Sequence, residues 1–231
     1  MKLVIKIGGS LLFDEDEQFD INRYQGFANA IRQIKELGHN IVLVIGGGVL
    51  AKTLVKSGKL LAANRDTLDQ LGIAATWVCA QLMIAALQDL AYPIPIMSKE
   101  QLASLQNDER LLIFGGLRPG QSTNAVAAQV AELTNSKILL NVTDVEGVYD
   151  SDPKEFTHAK LLSEISIDQL RKIIAPLKSQ PGTYPLFDKP ALDIIQRAQI
   201  EVWFVNGKTP ENIVQALEMG KIGTRVVPSS V

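Results

Sequence analysis

Three glycine-rich turns each follow a short apolar run of the kind that forms a strand. The first run ends in Gly8-Gly9-Ser10, the second in Gly46-Gly47-Gly48, and a later one in residues 115–123, GGLRPGQST. Glycine lets backbone N–H groups approach a phosphate closely, and the start of a following helix favours its negative charge. Each turn alone could be no more than a tight turn. Together, at one edge of one sheet, they predict a site for several phosphate groups.

The segment 115–122 also has the spacing of a Walker A loop, between a predicted strand and a predicted helix. Its lysine position holds Gln121, so the charge that should reach the β- and γ-phosphates is missing. A P-loop is therefore not expected.

One lysine interrupts the first apolar run, two residues before the glycine turn. Lys6 is costly to bury there unless it has an anionic partner. Phosphoryl transfer needs in-line positioning and cations around the developing charge, with little covalent chemistry from the protein. Lys6 could be a strand residue whose ammonium reaches solvent at an edge. The alternative is a lysine that points at a transferring phosphate.

Acidic candidates come from two places. Asp188 looks like the N-cap of a helix that starts near Pro190. The segment 141–153, NVTDVEGVYDSDP, follows a strong predicted strand but does not have the spacing of an EF-hand. It carries four carboxylates around Gly147, namely Asp144, Glu146, Asp150 and Asp152.

The two histidines, His39 and His158, fall in apparent loops away from the glycine turns. There is no HExxH motif, no paired Cys–His set and no nucleophile elbow, so a hydrolase or a zinc enzyme has little support. A phosphate acceptor needs no general base, because its second pKa of about 6 leaves it ionised at pH 7.

The elements that must position these residues alternate along the chain. Strands are predicted at 3–7, 40–45, 94–97, 111–114, 138–142, 201–205 and 224–227, and helices at 22–37, 68–90, 124–133, 167–174 and 191–198. Continuous apolar strands separated by helices indicate a mostly parallel sheet covered on both faces. We therefore expect one domain, residues 1–231, folded as a three-layer α/β/α sandwich. Ligands of such sheets lie beyond the carboxyl ends of the strands.

Composition narrows the class of protein. The chain has 231 residues, 46% of them hydrophobic, and a formal net charge of -2, so no basic excess favours a nucleic-acid partner. Its one cysteine, Cys79, is predicted to be a buried thiol. The longest apolar stretch, residues 72–87, falls short of a bilayer span. We expect a cytoplasmic protein without a membrane partner.

Four segments in this order resemble the amino acid kinase family over nearly the whole chain: KIGGS at 6–10, IGGG at 45–48, GGLRPGQST at 115–123 and TDVEGVYDSDP at 143–153. Four stretches are similar to archaeal-type uridylate (UMP) kinases: DQLGI at 69–73, PGQST at 119–123, QPGTY at 180–184 and FDKPA at 187–191. The resemblance implies ATP-dependent phosphorylation of UMP to UDP in pyrimidine nucleotide biosynthesis.

The same resemblance implies roles for individual residues. Lys6 would stabilise the transferred phosphoryl group, and Asp188 would orient the surroundings of the lysine. The ATP site would comprise Gly9, Ser10, Gly48, Lys52, Thr143, Tyr149 and Asp152. The UMP site would comprise Gly47, Asp69, Gly116, Leu117, Arg118, Pro119, Gly120, Gln121 and Ser122.

The resemblance also implies an N-terminal UMP-binding lobe at about residues 1–135 and a C-terminal ATP-binding lobe at about 136–231. Mg2+ would arrive with ATP, without a metal site made by the protein alone. The assembly would be a homohexamer, a trimer of dimers, with the helix at 22–37 as a dimer face.

Two residues depart from the pattern. Lys52 stands where an arginine is common. A lysine would contact a phosphate through a single ammonium group, whereas an arginine can donate two parallel hydrogen bonds. Asn124 replaces an acidic residue. Two alternatives stay open: another small-molecule kinase of the same fold, and a non-catalytic relative that stores oxyanions.

Overall fold

The computed structural model describes residues 1–105, 107–151, 153, 156, 158–175, 187–220 and 222–229. The strands within these residues are β1 Lys2–Ile7, β2 Asn40–Ile45, β3 Leu112–Phe114, β4 Ile138–Thr143, β5 Glu164–Ser166, β6 Glu201–Asn206 and β7 Thr224–Val227. The α-helices are α1 Ile21–Glu36, α2 Gly48–Leu60, α3 Arg65–Leu87, α4 Lys99–Ser104, α5 Thr123–Leu133, α6 Ile167–Ile174, α7 Lys189–Ala198 and α8 Asn212–Met219. Two 3-10 turns cover Gly9–Leu12 and Gln88–Leu90.

The described strands form one sheet in the order β3-β2-β1-β4-β6-β7-β5. Neighbouring strands are parallel except that β7 runs antiparallel to β6. The chain moves outward from β1 to β2 and β3 and then returns to the other side of β1 with β4. This reversal makes the crevice between β1 and β4 the topological switch point, where open sheets of this kind bind ligands.

Alternation along β1 assigns its side chains to two separate cores. Leu3, Ile5 and Ile7 face the layer that contains α1, α3 and α8. Val4 faces the layer that contains α5, α6 and α7. Successive strand residues point to opposite faces, so Lys6 lies on the same face as Val4. The three-layer α/β/α sandwich predicted from the sequence is confirmed.

The helix α3 is long and apolar enough to cross a membrane by length and composition alone. Its second half lies in the first core, where Cys79, Met83 and Leu87 are buried. Its first turns pack against α2 instead, with Leu68 and Leu71 against Gly58. It is therefore a core helix that extends beyond the sheet as one half of a helical hairpin.

One predicted strand is wrong, and the helices α2, α4 and α8 and the short strand β5 were not predicted. The segment 94–97 contributes a single bridge, between Ile96 and Phe114, because Pro93 and Pro95 carry no N–H group for a ladder. The helix α2 gives no apolar stripe in the sequence, since Gly58 is its one buried residue.

The hydroxyl group of Thr224 joins three segments of the chain. It is fully buried, accepts a hydrogen bond from the Val148 N–H at 2.9 Å and donates to the Leu162 carbonyl at 2.5 Å. In Thr224→Val the Val148 N–H loses its acceptor, so we expect the free energy of unfolding to fall by about 1–3 kcal/mol in urea denaturation. Thr224→Ser keeps the hydroxyl and should lose less. Equal losses in the two variants would contradict this role.

Candidate active site

The first two glycine turns touch through their backbones at the carboxyl ends of β1 and β2. A Cβ atom on Gly9 would lie 2.0 Å from the backbone nitrogen of Gly48, and one on Gly48 would lie 2.3 Å from the Gly9 carbonyl oxygen. Gly48 also has a φ of +53°, which favours glycine. The contact sets the start of the 3-10 turn Gly9–Leu12 beside the start of α2. The first N–H groups of a helix have no partner within it, so this is a suitable place for an anion.

The third glycine turn is held by α3. The Oγ1 of Thr76 accepts a hydrogen bond from the Gly116 N–H at 2.6 Å, and the indole Nε1 of Trp77 donates to the Gly116 carbonyl at 3.0 Å. Both backbone groups of Gly116 are thus bonded within the protein. The predicted contact of Gly116 with a nucleotide remains a prediction, and its N–H already has an acceptor.

Asp69 and the loop after Gly116, predicted from separate motifs to share a site, lie together. The Oδ2 of Asp69 accepts a hydrogen bond from the Gly120 N–H at 2.8 Å, and Gly120 has a φ of +76°. The loop is largely open to solvent. Its residues are Leu117, Arg118, Pro119, Gly120 and Gln121.

The N-termini of α5 and α7 meet beside this loop. Ser122 is the N-cap of α5 and accepts from the Ala125 N–H at 3.0 Å. Asp188 is the N-cap of α7 and accepts from the Ala191 N–H at 3.0 Å, which confirms the cap predicted from the sequence. The hydroxyl of Ser122 donates to the second carboxylate oxygen of Asp188. The two caps therefore form one unit that links two helix starts.

The charges of two carboxylates act on Lys6. Burial lowers the pKa of its ammonium group to about 8, and the charges of Asp144 and Asp188 oppose that shift. Asp144 follows β4 directly and Asp188 is the N-cap of α7, so the two charges that act on Lys6 come from different elements. The sequence predicted a need for such a partner, and the structure identifies two.

The residues predicted for the ATP side lie on several elements around the same edge. Thr143 ends β4, and Lys52 is an exposed residue of α2. Tyr149 pairs with Leu161 through an isolated bridge. Asp152 and the QPGTY segment at 180–184 fall outside the described residues.

Three side chains at the site were not found from the sequence: Thr76, Trp77 and Asn206. The amide of Asn206 donates to Glu146 at 2.6 Å and so holds the loop that carries Asp144. Thr76 and Trp77 lie in the apolar run TWVCAQLMIAAL, which indicates only a core helix. The available signal was the presence of a hydroxyl and an indole N–H in this run, because such groups need hydrogen-bond partners when they are buried.

The described residues contain no group of three or more His, Cys, Asp or Glu side chains that could hold a metal ion. Mg2+ is commonly held by one or two carboxylates together with substrate phosphates. The exposed Asp144 beside Lys6 fits that mode.

Comparison with known proteins agrees with this fold. Residues 1–206 match the model of the amino acid kinase family. The chain belongs to the amino acid kinase family. It is similar to uridylate kinases: it is 38% identical over 229 residues to that of Sulfurisphaera tokodaii, covering 99% of this chain and 100% of the relative. It is 36% identical over 231 residues to that of Haloarcula marismortui, covering 100% of both. The solved uridylate kinase of Archaeoglobus fulgidus matches with a TM-score of 0.86 at 33% identity, covering 98% of this chain and 100% of that one.

The lowered pKa of Lys6 makes a prediction about stability. Between about pH 8, the pKa in the folded protein, and 10.5, the ordinary value, the unfolded chain holds the Lys6 proton more tightly. The contribution of Lys6 to the free energy of unfolding should therefore rise with pH across that window. We expect the difference in this free energy, wild type minus Lys6→Met, to grow there and to stay flat below about pH 7. Urea denaturation at several pH values measures it, and a constant difference would contradict the shift.

Proposed function

We propose that the chain transfers the γ-phosphoryl group of ATP to UMP, which gives UDP and ADP, as a step of pyrimidine nucleotide biosynthesis. The observation that carries the proposal is the position of Lys6. Lys6 lies on the central strand β1, next to the β1–β4 switch point, and the charges of Asp144 and of the α7 N-cap Asp188 act on its ammonium. The similarity to uridylate kinases over the whole chain supports UMP as the acceptor.

In this proposal the two nucleotides approach from the two sides of Lys6. The lobe at about residues 1–135 holds UMP, through Gly47, Asp69 and the loop Gly116, Leu117, Arg118, Pro119, Gly120, Gln121 and Ser122. The lobe at about 136–231 holds most of the ATP site, with Thr143, Tyr149 and Asp152. Gly9, Ser10, Gly48 and Lys52 contact the ATP phosphates from the first two turns.

The chemistry that we propose is a direct in-line displacement. An oxygen of the UMP phosphate attacks the γ-phosphorus, the bond from that phosphorus to the β-bridging oxygen breaks, and ADP leaves. Lys6 stabilises the charge on the transferred group, and Asp188, fixed by its cap and by Ser122, orients the lysine. No general base is needed, because the acceptor phosphate is already ionised. Mg2+ bound to ATP, next to Asp144, would neutralise charge on the phosphates.

We further propose a cytoplasmic homohexamer, a trimer of dimers. An apolar groove between α1 and α3 supports a dimer face there. It is lined by Ile21, Tyr24, Gln25, Leu82, Ala85, Ala86 and Gln88. Ile21 on α1 and Val78 on α3 are large apolar side chains exposed to solvent.

Initial rates with Mg-ATP test the function directly, with UMP, CMP, dUMP, acetylglutamate and isopentenyl phosphate as acceptors. Rapid ADP formation with UMP alone supports acceptor and reaction together. Turnover with another acceptor would keep the assignment as a kinase and replace UMP as the substrate. No ADP formation with any of the five acceptors would favour the oxyanion-storage alternative.

Lys6→Ala should lower kcat by about two to three orders of magnitude, because one preorganised group that stabilises the transition state is lost. Steady-state rates with UMP and Mg-ATP measure this loss. Lys2→Ala is the matched control, since Lys2 is an exposed lysine at the opposite end of the same strand. Turnover like that of the wild type in Lys6→Ala would remove Lys6 from the mechanism.

Asp69→Asn should mainly raise the KM for UMP and leave the KM for ATP little changed. The amide oxygen of asparagine can still accept from the Gly120 N–H, so this variant removes the charge while the loop contact can persist. Asp69→Ala removes both and should have the larger effect. A change confined to the KM for ATP would overturn the assignment of Asp69 to the UMP site.

A further inference from the structure

We propose that Thr76 and Trp77, here called the α3 clamp, are positioning residues of the UMP site. They hold the Gly115–Gly116 turn in the conformation from which the following loop receives the nucleotide. The proposal rests on the proposed function for the identity of that nucleotide. The contacts that support it are internal to the protein.

The first support is the double use of one hydroxyl group. The Thr76 hydroxyl donates to the Ile73 carbonyl of its own helix at 2.6 Å and accepts from the Gly116 N–H at 2.6 Å. Thr76 is only 5% exposed, so the Gly116 N–H has no easy access to water if the hydroxyl is lost. Trp77 bonds the next peptide group, through the Gly116 carbonyl, so both backbone polar groups of Gly116 are fixed by α3.

The second support is how closely α3 approaches the turn. A Cβ atom on Gly115 would lie 2.5 Å from the Thr76 Oγ1 and 2.7 Å from the Trp77 Cδ1. One on Gly116 would lie 3.0 Å from the Ile73 Cγ1. A side chain at Gly115 would therefore displace Thr76 or Trp77, and one at Gly116 would press against Ile73.

The third support is the spacing along α3. Asp69, Ile73 and Thr76 are related as i, i+4 and i+7, which places them on one stripe of the helix. Ile73 and Thr76 contact the start of the loop, and Asp69 bonds Gly120 further along it. One rigid helical stripe thus sets the position of the whole loop proposed to bind UMP.

The α3 clamp also touches the second turn. A Cβ atom on Gly47 would lie 3.3 Å from the Thr76 Cγ2, and the Cys79 thiol donates to the Gly47 carbonyl at 3.8 Å. Gly47 is the other turn residue proposed for the UMP site. No comparable contact joins Thr76 or Trp77 to Thr143, Tyr149 or Asp144 among the described residues, so the effect should be confined to UMP.

The test compares Thr76→Val with Thr76→Ser in steady-state kinetics. Valine keeps the shape and removes the hydroxyl, so we expect the KM for UMP to rise about tenfold, equivalent to about 1.4 kcal/mol, with kcat and the KM for ATP little changed. Serine keeps the hydroxyl and should restore the KM for UMP. A merely structural role would lower stability without separating the two KM values.

A binding measurement makes the test independent of turnover. The chain has two tryptophans, Trp77 and Trp203, so Trp203→Phe leaves Trp77 as the single indole. We expect UMP titration to change the emission of this protein, and Thr76→Val in the same background to shift the midpoint about tenfold higher. If Thr76→Val does not fold, Trp77→Phe, which removes the bond to Gly116, replaces it in the kinetic test.

The outcomes separate the two proposals. UMP binding with the expected midpoint shift, but no turnover of UMP in the wild type, would support the clamp and reject the kinase assignment. Normal turnover in the wild type with an unchanged KM for UMP in Thr76→Val and Trp77→Phe would overturn the clamp alone. A rise in the KM for ATP equal to that for UMP would also overturn it.

Discussion

The backbones of two neighbouring turns touch at the carboxyl edge of the sheet, and the positions of the other site elements follow from that contact. Gly9 and Gly48 approach so closely that a methyl group on either would overlap the other turn. Because of this approach, α2 begins directly beside the end of β1 and continues away from the sheet edge. The helix α3 then returns along α2 and reaches the end of β3. A pair of glycines thereby helps to determine where a long helix meets the loop that follows Gly116.

The second constraint is electrostatic and concerns Lys6. A buried ammonium is unfavourable, and the drop in its pKa to about 8 expresses that cost. The charges of Asp144 and Asp188 offset part of it. The pKa nevertheless stays below its ordinary value, so the two carboxylates do not offset the whole cost of desolvation. A bound phosphate would favour the charged lysine and raise its pKa again, so binding and the charge state of Lys6 support each other.

Much of this could be predicted from the sequence because it depends on local patterns. Apolar runs gave the parallel sheet, with bounds that agree for β2 and β7, and the helix 167–174 agrees with α6. The cap at Asp188 was visible from the proline that follows it. The partners of these residues were not visible, since Ser122 and Asp188 are 66 positions apart and Thr76 and Gly116 are 40 apart. Such pairs depend on strand order, which periodicity does not encode. The wrong strand at 94–97 has a different cause. It was predicted from its apolar residues, although Pro93 and Pro95 have no N–H group to donate to a neighbouring strand.

The glycines of the three turns serve packing as well as the phosphate contact that was predicted for them. They were interpreted as positions that let N–H groups reach a phosphate, yet the N–H groups of Gly8, Gly46 and Gly116 are bonded within the protein. Their small size serves the contact between turns and the approach of α3. That packing in turn leaves the starts of α2 and of the 3-10 turn at the edge of the sheet, with N–H groups that have no partner inside their helices. The glycines thus contribute to the proposed phosphate site mainly by placing those helix starts. A side chain at Gly9 or Gly115 would therefore disturb the arrangement even where no ligand touches that residue.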